Sequence, residues 1–172
     1  MLRLTSNGNL YIYTYIDLPG NNGSNVWLET FSAFSRERGG SECSIPEKCG
    51  SFGLCEDNQC VACPTPNGLL GWNKKCKLPK IPSCNNASTE VNLGYFRVKE
   101  VGNYLPLLGD DIEGEGPMTI SECMEKCSND CKCVGFFYRY DWSKRCWISS
   151  QLNTMTRRGF TTFVDAYIKY AK

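Results

Sequence analysis

The chain has 172 residues, with 19 lysines and arginines against 18 aspartates and glutamates, and no histidine. A net charge of +1 makes no electrostatic case for nucleic acid or an anionic membrane as partner. The lack of histidine excludes Ser-His and Cys-His nucleophile systems and histidine-ligated metals, and no apolar run is long enough to span a bilayer.

The first 35 residues read as β structure. Leu2, Leu4, Leu10, Ile12, Thr14 and Ile16 alternate with polar or aromatic positions, the period of a half-buried strand. Ser6-Asn7-Gly8-Asn9 between them supplies a hairpin turn. A turn region at Pro19–Asn25 carries the sequon Asn22-Gly-Ser24, and a further strand is expected from Val26 to Phe34. Three strands without another layer make a poor core, so they are expected to pair poorly and to be the last strands of a truncated domain. Met1-Leu-Arg-Leu-Thr is not a signal peptide, which also points to a fragment or a shortened gene model.

Residues 36–42 are polar and glycine-bearing, as a linker should be. A cysteine cluster follows over 43–77: Cys43, Cys49, Cys55, Cys60, Cys63 and Cys76. With Phe52, Leu54, Leu69, Leu70 and Trp72 as its main apolar side chains, this segment needs cross-links to fold. Zinc competes for these cysteines, since Cys60-Val-Ala-Cys63 has C-x2-C spacing. No second such pair lies at zinc-ribbon separation, so disulfides and an oxidising compartment are the better reading, with no metal and no cofactor expected.

Residues 78–83 form a proline-stiffened spacer, and Cys84 opens the last segment, 84–172, beside the second sequon, Asn86-Ala-Ser88. Both Asn22 and Asn86 are therefore candidate glycosylation sites. Leu93–Val98 reads as a strand. The acidic run Asp110-Asp-Ile-Glu-Gly-Glu115 lacks EF-hand spacing and has no aromatic cleft built around it, so neither a calcium site nor a glycosidase carboxylate pair is assigned. Thr119-x-x-Glu122 is a capping-box pattern, and Cys123 and Cys127 follow on one face of the predicted helix. Asn129-Asp130 ends it; Cys133–Tyr140 and Cys146–Ile148 read as two strands joined by a turn at Asp141–Lys144. The stretch from Phe160 to Tyr170 closes the sheet. Phe136, Phe137, Tyr138, Tyr140, Trp142 and Trp147 form the best candidate interaction surface in the chain, at most half of them being expected in the core.

The order C-x3-C-x3-C-x-C…C-W from Cys123 to Trp147 resembles the PAN/apple module of plant S-domain proteins, a helix pinned by disulfides to an antiparallel sheet. Six cysteines allow 15 pairings. The resemblance implies Cys123 with Cys146, Cys127 with Cys133, and Cys84 with Cys131. The spelling CGSFGLCEDNQCVACP resembles the EGF-like module of the same family, which implies Cys43–Cys55, Cys49–Cys60 and Cys63–Cys76. EGF modules usually carry one residue where Cys60 and Cys63 are separated by two.

The stretch LRLTSNGNLYIYTY resembles the closing strands of a bulb-type lectin-like domain, whose sugar motif is Q-x-D-x-N-x-V-x-Y. Aligned on Tyr13, it offers Thr5, Asn7, Asn9, Tyr11 and Tyr13, with Asn9 and Tyr13 matching. Asn7 in place of aspartate removes a charge-assisted acceptor. The remnant Asn7, Asn9 and Tyr13 is thus expected to be ordinary outward strand residues.

The whole order, lectin-like end, EGF-like and PAN-like, resembles the ectodomains of plant S-domain receptor kinases and their secreted, kinase-less relatives, the lectin-like epidermal glycoproteins. The fold implied is a set of small disulfide-rich, mainly β modules ending in an α+β PAN/apple module. The function implied is that of a secreted, cell-wall glycoprotein without catalytic activity. It would contact a protein partner or a second copy through the PAN-like module, with carbohydrate as a weaker partner. The alternative is an ectodomain piece of a receptor-like serine/threonine kinase.

Overall fold

The computed structural model describes residues 1–6, 8–16, 26–34, 41–50, 52–74, 76–81, 92–103, 114–157 and 163–172. Strands β1 (Leu2–Leu4), β2 (Leu10–Ile16) and β3 (Val26–Ser32) form a three-stranded antiparallel sheet in the order β1-β2-β3. The turn after β1 has Gly8 at φ +86, a backbone conformation that glycine adopts without penalty. The expectation of poor pairing needs correcting. β1 pairs from Leu2↔Ile12 to Leu4↔Leu10, and β3 pairs along β2 with a register shift between Ile12 and Tyr13. Backbone pairing is joined by side-chain contacts across β2 and β3, the Thr14 and Thr30 hydroxyls lying 2.8 Å apart. Among the described residues the sheet has no full cover: Leu2, Leu4, Trp27 and Leu28 are 52–71% exposed.

The cysteine-rich segment contributes β4 (Leu54–Glu56), β5 (Gln59–Thr65) and β6 (Gly68–Gly71). The C-terminal segment contributes β7 (Leu93–Val98), β8 (Val101–Asn103), helix α1 (Ile120–Asn129), β9 (Gly135–Arg139), β10 (Cys146–Ser149), β11 (Met155–Arg157) and β12 (Val164–Ala171). A four-stranded sheet runs β10-β9-β12-β7, and a five-stranded sheet runs β6-β5-β4-β11-β8. Pairing is antiparallel throughout except for β11 on β4, where Met155 meets Leu54 and Thr156 meets Cys55 in parallel. The second sheet therefore takes strands from both segments. Side chains reinforce the joint: Thr154 Oγ1 accepts from the Cys49 N–H at 2.9 Å, and Thr156 Oγ1 donates to the Cys43 carbonyl at 2.7 Å.

The two sheets bury one core between them. Phe52, Leu54 and Ala62 come from the cysteine-rich segment; Phe137, Trp147, Met155 and Ile168 come from the C-terminal one. On the far face of the four-stranded sheet, Phe136, Tyr138 and Tyr167 pack against α1 together with Cys123, Cys127, Cys133 and Cys146. The body is a stack of three layers, helix, sheet and sheet, cross-linked and largely β. The alternation of β12 sorts its side chains accordingly: Ala166 and Ile168 face the second sheet, and Tyr167 faces the helix side.

Helix α1 begins at the predicted place. Thr119 is its N-cap; its side chain accepts from the Glu122 N–H, and the Glu122 carboxylate accepts from the Thr119 N–H. These hydrogen bonds hold the Glu122 carboxyl below its usual pKa. The other end is closed by Lys169 of β12, only 2% exposed, whose ammonium donates to the Cys127 carbonyl at 2.9 Å and the Asp130 carbonyl at 3.1 Å. A cation there adds a donor to the last carbonyls, of which that of Asp130 also accepts from the Cys133 N–H at 3.0 Å, and complements the negative end of the helix dipole. Desolvation lowers the pKa of Lys169, against a smaller raising effect of the Asp130 charge.

Candidate interaction surface

The disulfides set the frame. Cys43 is bonded to Cys55, Cys49 to Cys60 and Cys63 to Cys76, so Cys60 and Cys63 belong to different bridges. Cys123 is bonded to Cys146 and Cys127 to Cys133, fastening α1 to β10 and to the residue two positions before β9. Cys131 is disulfide-bonded as well, while Cys84 lies outside the described residues. Among the described residues there is no free cysteine and no cluster of acidic or cysteine side chains able to hold a metal ion.

Within that frame the predicted aromatic surface divides, and this corrects the expectation. Phe136, Phe137, Tyr138 and Trp147 are 0–6% exposed and belong to the two cores. The reason is that β9 has a layer on each face, the helix on one side and the five-stranded sheet on the other. Alternation then sends successive residues into different cores rather than to core and solvent. Phe136 stacks on Tyr167 with ring centroids 4.9 Å apart. Trp147 is held between the Arg139 guanidinium, 5.0 Å from its ring, and Gly114, where a Cβ would come within 2.5 Å of the indole.

The other two residues stand at the tip of the β9–β10 hairpin. Tyr140 is 42% exposed and Trp142 is 92% exposed. Tyr140 is anchored: its hydroxyl hydrogen-bonds that of Tyr167, and the Arg97 guanidinium lies 5.2 Å from its ring centroid. Arg97 itself is fixed by donating from Nε to Asp165 Oδ2 at 2.6 Å. The turn carrying Trp142 is tied by the Asp141 carboxylate, which accepts from the Ser143 N–H at 2.9 Å and from the Ser143 hydroxyl; Lys144 sits at φ +45. Phe163, which the sequence analysis did not single out, is 66% exposed, and its carbonyl accepts from the Tyr140 N–H at 2.8 Å. Its place one residue ahead of an alternating strand, across from a predicted hairpin, was the available signal. Tyr140, Trp142 and Phe163 thus bring large apolar side chains to one end of the four-stranded sheet.

The sugar-site remnant is placed otherwise. Asn9 is 1% exposed, and its amide bridges strands, donating to Ser32 Oγ at 3.1 Å and accepting from the Phe34 N–H at 3.2 Å. That corrects the expectation of an outward-facing residue: its polar atoms serve the turn after β3. Tyr13 is half-buried, with its ring 6.2 Å from that of Tyr11, while Asn7 lies outside the described residues. Asn22, Asn86, Asp110, Asp111 and Glu113 also lie outside them. Glu115 is paired with Lys126 of α1.

Comparison with known proteins accords with this architecture. A PAN-like domain model matches residues 98–153. EP1-like glycoprotein 4 of Arabidopsis thaliana is 40% identical over 170 residues, covering 98% of this chain and 35% of the relative. The epidermis-specific secreted glycoprotein EP1 of Daucus carota is 42% identical over 105 residues, 53% of this chain and 26% of the relative. The G-type lectin S-receptor-like serine/threonine-protein kinase SD2-5 of Arabidopsis thaliana is 26% identical over 92% of this chain and 20% of its own length. The chain spans about a third of the length of the EP1-like relatives it matches. It is a homologue of the EP1-like glycoproteins that carries a PAN-like domain, with more distant relatives among the G-type lectin S-receptor-like kinases.

Proposed function

We infer that this chain is an extracellular, non-catalytic interaction glycoprotein of the plant cell wall, whose PAN-like segment presents the Tyr140–Trp142 tip to a protein, a second copy included. The observation that carries this reading is Trp142, 92% exposed on a turn that side-chain and disulfide contacts hold in place. An indole in water at the end of a pre-organised hairpin offers a large apolar anchor at small ordering cost, as interface hot spots do. Several observations support the extracellular part. The disulfide bridges among the described residues suit an oxidising compartment, and the carrot relative's name includes the word secreted. On this reading Asn22 and Asn86 are glycosylated, residues 43–77 act as an EGF-like module, and residues 1–35 belong to a bulb-type lectin-like domain in which carbohydrate is the weaker partner.

Sedimentation of secreted protein, wild type against Trp142→Ala, tests the contact. Concentration-dependent self-association should weaken at least about tenfold in the variant. A wild type monomeric up to about 1 mM, the bound that corresponds to roughly −4 kcal/mol, would exclude the homotypic contact. The second reading, an ectodomain portion of a receptor-like kinase, is favoured by the similarity to the S-receptor-like kinase. A downstream apolar span and kinase motifs at the gene would decide for it.

A further inference from the structure

A second concave surface lies where the β5–β6 hairpin of the cysteine-rich segment passes the β7 edge of the four-stranded sheet. It is a cleft of about 260 Å³. Its apolar lining includes Leu69 of β6 and Phe96 and Val98 of β7; Lys99 and Arg157 supply its cations, while Arg97, which also lines it, turns its guanidinium to Asp165 and the Tyr140 ring. Phe96 and Val98 are largely buried, whereas Leu69 is 49% exposed, so the cleft has a fixed apolar floor and one open apolar wall.

Two features identify an occupant. The first is charge. Arg97 is paired with Asp165, and Arg157 with Glu56 at 3.3 Å, while exposed Lys99 makes no ion pair among the described residues. Arg157 and Lys99 against Glu56 leave the cleft net positive, and the Arg157 guanidinium has more donors than its single carboxylate uses. The second is backbone. β6 and β7 are the outermost strands of their respective sheets, and both line the cleft. Each pairs on one side among the described residues, β6 with β5 and β7 with β12. An edge strand offers unpaired N–H and C=O groups to an incoming extended chain, and alternate side chains of that chain would then enter the apolar floor.

We propose that this cleft binds an extended, acidic peptide segment that adds as a strand to the β7 or β6 edge, its apolar side chains on Leu69, Phe96 and Val98 and its carboxylates on the Lys99 rim. Arg97 also backs the Tyr140 ring, but Lys99 and Leu69 have no part in the Trp142 contact, so variants at those positions test this assignment independently of that one.

The test uses the full chain and a fluorescein-labelled octapeptide alternating glutamate and valine. Its lysine–valine counterpart, an oligogalacturonide, and two N-methylated glutamate–valine peptides, methylated on alternate residues in the two possible phases, serve as comparisons. The acidic peptide should bind, one N-methylated phase should lose binding, and Lys99→Glu should weaken it about tenfold, the scale of removing one interfacial charge contact. Lys99 is exposed, so this variant should fold as the wild type does, which its disulfide map would verify. Leu69→Asp, also at an exposed position, should weaken binding to a similar degree. The proposal is overturned by equal binding of the lysine peptide, by an unaffected Lys99→Glu variant, or by tolerance of both N-methylated phases. Preference for the oligogalacturonide would assign the cleft to an anionic saccharide and overturn it too, as would no binding of the acidic peptide.

Discussion

The N-terminal sheet and the cysteine-rich body use the same backbone pairing and reach opposite degrees of burial. In the body, Phe52, Phe136 and Ile168 are completely buried, because every apolar face of the four-stranded sheet has a layer against it. In the N-terminal sheet, Leu4 is 71% and Trp27 52% exposed, although each strand finds its partner in register. Pairing and burial are separate achievements. The first needs hydrogen bonds between strands; the second needs another element across the sheet. The difference tells where substitutions should hurt.

The largest effect is expected where the two sheets meet. Phe137→Ala removes a ring from the core shared by the cysteine-rich and C-terminal segments and should cost about 3–5 kcal/mol, read as a lowered unfolding midpoint. Because β4 pairs with β11, proteolytic sensitivity should rise on both sides of residue 80 together. Cleavage confined to residues after 84 would mean that the two segments fold separately and that the shared sheet is not a cooperative unit.

Next in size is the helix staple. Replacing Cys123 and Cys146 together by alanine should cost about 2–5 kcal/mol, the usual range for a native bridge in a small secreted domain. Hydrogen exchange should show lost protection in α1 while β4, β5 and β11 keep most of theirs, since the helix covers only the outer face of the four-stranded sheet. Uniform loss would show that the layers are not separable. A smaller version of the same test is Lys169→Met, which removes the ammonium from the Cys127 carbonyl and leaves the Asp130 carbonyl the Cys133 N–H, and should cost about 1–3 kcal/mol. An unchanged midpoint would mean that water replaces the ammonium.

Much of the body was legible because its signals are local. The Thr119–Glu122 capping box and the strand Leu93–Val98 read directly from residue type and spacing. For the run Gly-Phe-Phe-Tyr-Arg at β9, alternation alone predicts one exposed face, because the local sequence does not say which layers will cover it. In retrospect its near-continuous apolar character is what a strand buried on both sides requires. The five-stranded sheet was not legible at all. β4, β8 and β11 are three residues each, too short for periodicity to register, and the β4–β11 pairing joins positions about a hundred residues apart in the chain. Trp142 and Trp147 differ by five positions and by almost the full range of exposure; residue type alone carries no information on that. Asn9 departs from the expectation for a related reason. A polar residue at a strand end is outward by default, and its two cross-strand hydrogen bonds depend on Ser32 and Phe34, more than 20 residues away.

The smallest expected effect is the one most diagnostic of the N-terminal sheet. Trp27 contacts Tyr15 with ring centroids 5.2 Å apart, yet both remain about half exposed, so Trp27→Thr surrenders little burial while keeping strand propensity. In this chain the change should fall within about 0.5 kcal/mol of the wild type, as for a surface site. In a longer chain carrying whatever packs on this sheet, the same substitution should cost several times more, because the indole would then be a core residue. Comparing the midpoints of the two proteins shows whether a further layer packs on this face. Equal, small losses in both would show that the face carrying Trp27 stays in water, and the exposed apolar side chains of β3 would then be available to a partner outside the polypeptide.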